Sequence, residues 1–227
     1  MNYMKPAANG AVLLGLSTFL SGCVALAVPL MAVTSVGAMG LTGFGMFKVV
    51  QTAGGGKVAV GFGSKDSKTI PPPQPLPLVR SIAIWPNTDR EVFLAERLIA
   101  SQRFKVTTPS AAARSLTSLT VDVDLKSKTV AEQSQDFDKL CRAVGADLVL
   151  AAKDIGMSVK GGFFQMKRGG FTTTSDLIGY SCRSRSVVWR DTMAVTQQTG
   201  STIASDGEVA KIAGDAWAER ILQAPSA

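Results

Sequence analysis

Histidine is absent from all 227 residues. That removes the commonest general base, the commonest zinc ligand and every Ser-His or Cys-His nucleophile pair. Carboxylate, lysine and cysteine chemistry remain. Asp122 and Asp124 stand two apart in "SLTVDVDLKS", and on a strand that spacing sets both carboxylates on one face, where acid–base catalysis or a hard cation could use them. An ordinary solvated strand face has the same pattern, and is the expectation here. The "GGGK" of Gly54–Lys57 suggests a phosphate loop, but Gln51 occupies the first glycine position and Val58 stands where a magnesium-reaching Ser or Thr is needed. A second near match at Gly61–Thr69 has Asp66 where glycine is required. No cofactor, no metal and no small-molecule substrate is expected from these residues.

The charge is +7, with a pI near 9.5, a balance that suits an anionic partner. Nucleic acid is not expected, because nothing basic is concentrated enough. The densest group, Arg183, Arg185 and Arg190, reads as the solvated face of a strand. Trp85, Trp189 and Trp217 fall in core patterns and are expected to pack.

Three cysteines bear on compartment. Residues 1–22 read as a signal peptide: Lys5 charges a short n-region, and "AVLLGLSTFL" (Ala11–Leu20) is an apolar core of the right length. It ends in Leu20-Ser21-Gly22-Cys23, which resembles the bacterial lipobox, so Cys23 is the expected lipidation site and first mature residue. Three acyl chains would anchor it to the bilayer without a spanning helix. Val24, rather than an aspartate, resembles the outer-membrane sorting pattern of enteric bacteria. With Cys23 lipidated, Cys141 and Cys182 remain; a disulfide, two buried thiols or a reactive cysteine are all open readings.

Residues 23–70 are expected to form a lipidated, apolar, Gly-rich leader with a small hairpin. Its run Val24–Phe47 carries no charge, and Gly37, Gly40, Gly43 and Gly45 are candidate membrane or oligomer contacts. The hairpin is "KVVQTAGGGKVAVGFG", with Val58, Val60 and Phe62 alternating. Residues 71–79, from "PPPQPLPL", read as a polyproline spacer reaching roughly 25 Å, with a domain boundary there.

Residues 80–225 read as an α/β domain, a single sheet with packed helices. "SIAIWP" (Ser81–Pro86) predicts a strand, Thr88–Glu91 a capping box opening a helix, and "FKVTTP" (Phe104–Pro109) a second strand. Ser110 predicts the cap of a short helix through Leu116. "SLTVDVDLKS" alternates as a strand would. Phe137, Leu140, Cys141 and Val144 mark an amphipathic helix ended by Gly145, and "ADLVLAA" (Ala146–Ala152) a central strand. Two further strands are expected near Asp176–Ser184 and Ser186–Val195. Ser205–Glu208 then caps a last helix presenting Val209, Ile212, Ala213, Ala216 and Ile221 to the core.

The opening "RSIAIWPN", "EVFLAERLIASQ" and "RFKVTTPS", with the joint "LCRAVGADLVLAA" (Leu140–Ala152) and a hairpin ending in "SVVWRD", resembles curli-secretion-channel-like (CsgG-like) and TolB amino-terminal-like domains over residues 80–223. The resemblance implies a bacterial envelope lipoprotein in the periplasm-facing outer membrane. It would work without catalytic residues, as a homo-oligomer or in an envelope protein complex, in assembly, secretion or cell-wall processes. An alternative is a structural subunit of a transport or motor-associated ring; an enzyme with a carboxylate or lysine site is the remoter one. A pore of its own is not expected, because Gly161, Gly162, Gly169, Gly170 and Lys167-Arg168 fit a membrane-spanning strand pair badly.

Overall fold

Between residues 81 and 152 short apolar runs alternate with capped amphipathic stretches, the pattern of parallel strands joined by helices. The computed structural model describes residues 45–53, 55–63, 71–160, 170–198 and 204–225. Cys23 and Gly37, Gly40 and Gly43 lie outside the described residues.

The elements run β1 (Gly45–Gln51), β2 (Lys57–Phe62), β3 (Ser81–Ile84), α1 (Asp89–Ala100), β4 (Lys105–Thr107), α2 (Pro109–Ser118), α3 (Val130–Val144), β5 (Leu148–Lys160), β6 (Gly170–Ser181), β7 (Ser186–Gln198) and α4 (Asp206–Gln223). They form one seven-stranded sheet in the order β1-β2-β7-β6-β5-β3-β4. Strand β3 is parallel to both β4 and β5, and the other neighbours are antiparallel. The fold is mixed α/β, with helices on both faces of the sheet.

Alternation along the strands divides the core between those faces. Ile82, Ile84, Leu148 and Leu150 join Val58, Val60, Phe62 and Met193 beneath α1 and α4, where Leu94, Leu98, Trp217 and Ile221 are buried. Ala83, Trp85, Val149 and Ala151 face the other way, against Leu116 of α2 and Phe137 and Leu140 of α3. Helices α1 and α4 pack closely enough that a Cβ on Gly214 would lie 2.5 Å from the Arg90 carbonyl oxygen.

Three helices open on capping boxes. Thr88 donates its N–H and hydroxyl to Glu91 Oε2 at 2.9 and 2.6 Å. Ser205 donates both groups to Glu208 at 3.0 Å, and the Glu208 N–H returns to Ser205 Oγ. Thr129-Val130-Ala131-Glu132 makes a third, at the start of α3. Gly145 ends α3 at φ +62°, left-handed backbone that glycine adopts at little cost.

Four expectations need correction. Helix α2 is capped by Thr108, not Ser110, with Pro109 in its first turn; a preset φ and no N–H to satisfy suit proline there. "SLTVDVDLKS" is not a strand. Its carboxylates fold the chain locally, with Asp122 Oδ1 accepting from the Asp124 N–H and Asp124 Oδ1 from the Lys126 N–H, turns that compete with ladder pairing. The hairpin β1–β2 is not outside the α/β domain: β2 pairs with β7 along Lys57–Phe62, so the proline segment separates parts of one sheet. Leu76 of that segment is buried and donates its N–H to the Pro225 carbonyl. The uncharged run ending at Phe47 also overlaps β1, where Gly45 stands opposite Phe62 and Phe47 stacks edge-on against Phe62 at 5.1 Å.

Candidate functional site

Strands β5, β6 and β7 are 13, 12 and 13 residues long, far longer than β3. Strand β3 pairs with β5 only over Leu148–Leu150. Beyond it, the Trp85 N–H donates to the Leu150 carbonyl at 2.8 Å and Asn87 Nδ2 to the Ala152 carbonyl at 3.1 Å. From Lys153 outward that side of β5 has no strand partner among the described residues.

The register carries this level across the sheet. Asp154 lies opposite Ser175, then Met193, Phe62 and Gly45; Lys160 lies opposite Gly170, then Gln198, Lys57 and Gln51. Among the described residues, strand β1 and the outer part of β5 are therefore two edges of one five-stranded antiparallel meander, at the same height. Ile155, Met157 and Val159 are 52, 71 and 70% exposed along the β5 edge. Cross-strand partners share a face, so Met157 continues the row Thr173, Val195 and Val60, and Val159 the row Phe171, Gln197 and Val58. The β2 end of each row is buried in the core with α4, whereas the β5 end is exposed.

A shallow cavity of about 210 Å³ sits where α4 meets this face, lined by Phe171, Thr173, Val195 and Gln197 of the strands and Val209 and Ala213 of the helix. Arg90, Asp206 and Ala210 complete the lining. Arg90 is already committed: its guanidinium donates to Glu91 Oε1 at 3.0 Å, Ser175 Oγ at 2.9 Å and Asp154 Oδ1 at 3.3 Å. That network fixes α1 to β5 and β6 at the root of the meander. Among the described residues, no group of three His, Cys, Asp or Glu side chains could hold a metal ion.

The structure brings Cys141 and Cys182 together in a disulfide, Cα atoms 5.6 Å apart, tying α3 to the β6–β7 turn. Asp122 and Asp124 stay exposed in their loop. All three tryptophans are buried in the core. Arg183 and Arg185 stand in the β6–β7 turn rather than on a strand face, and only Arg190 is on β7.

Asp147 is the carboxylate most tightly held at the β5 entrance. The Arg80 N–H donates to its Oδ2 at 2.9 Å, and the Ser81 N–H and hydroxyl each at 3.0 Å. These bonds, the Arg80 N–H foremost, hold its carboxyl below the usual range against the opposing effect of burial. Tyr180, buried and donating to Asp138 at 2.9 Å, is pushed up to about 12, mainly by burial.

No protein-family model and no curated protein sequence matches the chain. Among solved structures it is similar to a PelC dodecamer from Paraburkholderia phytofirmans, at 12% identity and a TM-score of 0.36, over 75% of this chain and 99% of that one. Lipoprotein GNA1162 from Neisseria meningitidis is similar at 12% identity and 0.42, over 63% and 98%. The LpoB C-terminal domain from Escherichia coli is similar at 14% and 0.30, over 51% and 82%. Likeness at these scores assigns no function.

Proposed function

We propose that this chain is a non-enzymatic lipoprotein of the bacterial outer membrane, anchored through Cys23, that works by self-association in the envelope. The observation that carries the reading is the pair of edges, β1 and outer β5, that have no outer strand partner among the described residues and stand at one height of the same meander. An exposed strand edge is a template for another strand, and natural proteins usually blunt it with charge, proline or a covering element. Outer β5 opens with Lys153, Asp154 and a bulge at Ile155, but beyond the bulge it presents Met157 and Val159 to solvent. Two different edges on one protomer make head-to-tail contact possible, and such contact closes into a ring when the rotation permits. The lipobox-like Leu20–Cys23 supports the anchor, and the curli-secretion-channel-like pattern of residues 80–223 fits the assembly.

Mass photometry of the detergent-extracted full chain tests the association. Oligomers that dissociate on Met157→Lys/Val159→Lys support it. A strict monomer, or an oligomer indifferent to that pair of charges, contradicts it.

A further inference from the structure

The end of the sheet opposite the meander carries a charge that the envelope reading does not use. There Arg80 precedes β3, Arg103 leads into β4 and Lys105 opens it, Arg142 stands in the last turn of α3, and Arg183 and Arg185 occupy the β6–β7 turn; all six side chains are exposed. Hydrogen bonds draw these segments together around Asp147. The Lys105 N–H donates to the Arg80 carbonyl, the Asp147 N–H to the Ser81 carbonyl, and the Cys182 N–H to the Asp147 carbonyl. Asp147 itself is occupied by the Arg80 and Ser81 N–H groups. The first helical turns at the other end hold Asp89, Glu91, Glu132, Asp206 and Glu208, alongside the cations Arg90 in the first turn of α1 and Lys57 and Lys160 at that end of the sheet.

Helix dipoles account for part of this, since cations favour helix C-termini and Arg142 lies at one. Arg80, Lys105, Arg183 and Arg185 stand outside the helices, so that explanation does not reach them. Arg185 also holds φ +52°, left-handed backbone that costs a non-glycine residue stability. A turn selected for folding alone would favour Gly or Asn there.

Chain direction relates this end to the first described strand. Strand β7 leaves the Arg183–Arg185 turn running away from it, β2 returns, and β1 runs away again from Gly45. Gly45 is thus the end of β1 nearer the basic end. The proline segment enters the same end at Arg80.

We propose that these six residues form a docking surface for anionic phospholipid headgroups, seating the domain on the bilayer that holds its anchor. The inference rests on the anchored-lipoprotein reading for its geometry, but its test needs no lipidation. Full-length Cys23→Ser protein is mixed with vesicles of phosphatidylcholine alone or with added phosphatidylglycerol, and co-sedimentation is measured at two salt concentrations. The uncharged run Val24–Phe47 contributes equally to both vesicle types, and Lys5 is common to every variant, so differences between variants report the charge of the basic end.

Binding should be tighter to the anionic vesicles and weaken with salt. Each basic residue near such a surface is worth about fivefold, so Arg80→Gln/Arg142→Gln/Arg183→Gln should lose roughly a hundredfold. Lys57→Gln/Lys126→Gln/Lys211→Gln removes the same net charge elsewhere and should lose little. Equal losses for the two triples, or no preference for phosphatidylglycerol, would overturn the proposal. So would tighter binding to a single-stranded oligonucleotide than to anionic vesicles. Arg185→Gly separates seating from folding: glycine relieves the backbone and raises Tm, while anionic binding falls about fivefold. Loss of both together would contradict a seating role for Arg185.

Discussion

The disulfide between α3 and the β6–β7 turn makes a quantitative demand on stability. Cys141 and Cys182 are separated by 41 positions, and closing a loop of that length removes about 13 cal/mol/K from the unfolded chain, about 4 kcal/mol at 25 °C. Cys141 is 7% exposed against Phe137, Leu140 and Tyr180, so Cys141→Ala/Cys182→Ala also loses some packing, and 4 kcal/mol is the lower end of the expected cost. For a domain of this size that corresponds to a Tm lower by about 8–16 °C. The assay is urea unfolding of the oxidised wild type, the reduced wild type and the double alanine variant. Reduced protein and variant should fall together, well below oxidised protein, with a steeper denaturant dependence because the unfolded chain is no longer cross-linked. Equal midpoints for all three would refute the reasoning. Two free thiols in the purified, unreduced protein would refute the bond itself.

Other consequences follow from single contacts. Gly214→Ala should destabilise by about 1–2 kcal/mol in thermal or urea unfolding, since overpacking against the Arg90 carbonyl and Phe93 outweighs the gain in helix propensity; a stabilised variant would show that α1 and α4 can part freely. Asp191 pairs with Arg220 at 2.6 Å where both are buried, so Asp191→Ala should cost about 3–5 kcal/mol by stranding the guanidinium, and unchanged stability would deny that burial. Asp147 has a lowered pKa in the fold, so its contribution is fully present above the unfolded carboxylate range and disappears as pH falls through the folded value. Asp147→Asn should flatten that acid limb of stability, and an unaltered pH profile would remove Asp147 from the account.

What could be read in the residue string was what is local. The capping boxes at Thr88 and Ser205, the apolar period of Phe137–Val144 and the stop at Gly145 depend on neighbours within a few positions, and each stands in the structure as its spacing implies. The third box, Thr129–Glu132, carried the same signal beside an ambiguous stretch. Residues 119–128 deceived because their alternation satisfies a strand rule, while the loop is shaped by carboxylate turns and by the Trp85 indole N–H donating to the Val123 carbonyl. That bond joins positions 38 apart, beyond any local pattern. The partner of β2 lies in β7, from Phe62 opposite Met193 to Lys57 opposite Gln198, so the hairpin's alternation was visible but its place in the sheet was not. The basic end is assembled from four separated segments, and a sequence window sees only the pairs Arg103 with Lys105 and Arg183 with Arg185.

The anchor remains the premise on which the functional account stands, and metabolic palmitate labelling of wild type and Cys23→Ser tests it most directly. The account predicts label on wild type and none on the variant. Equal labelling of the two, or none on either, would contradict it.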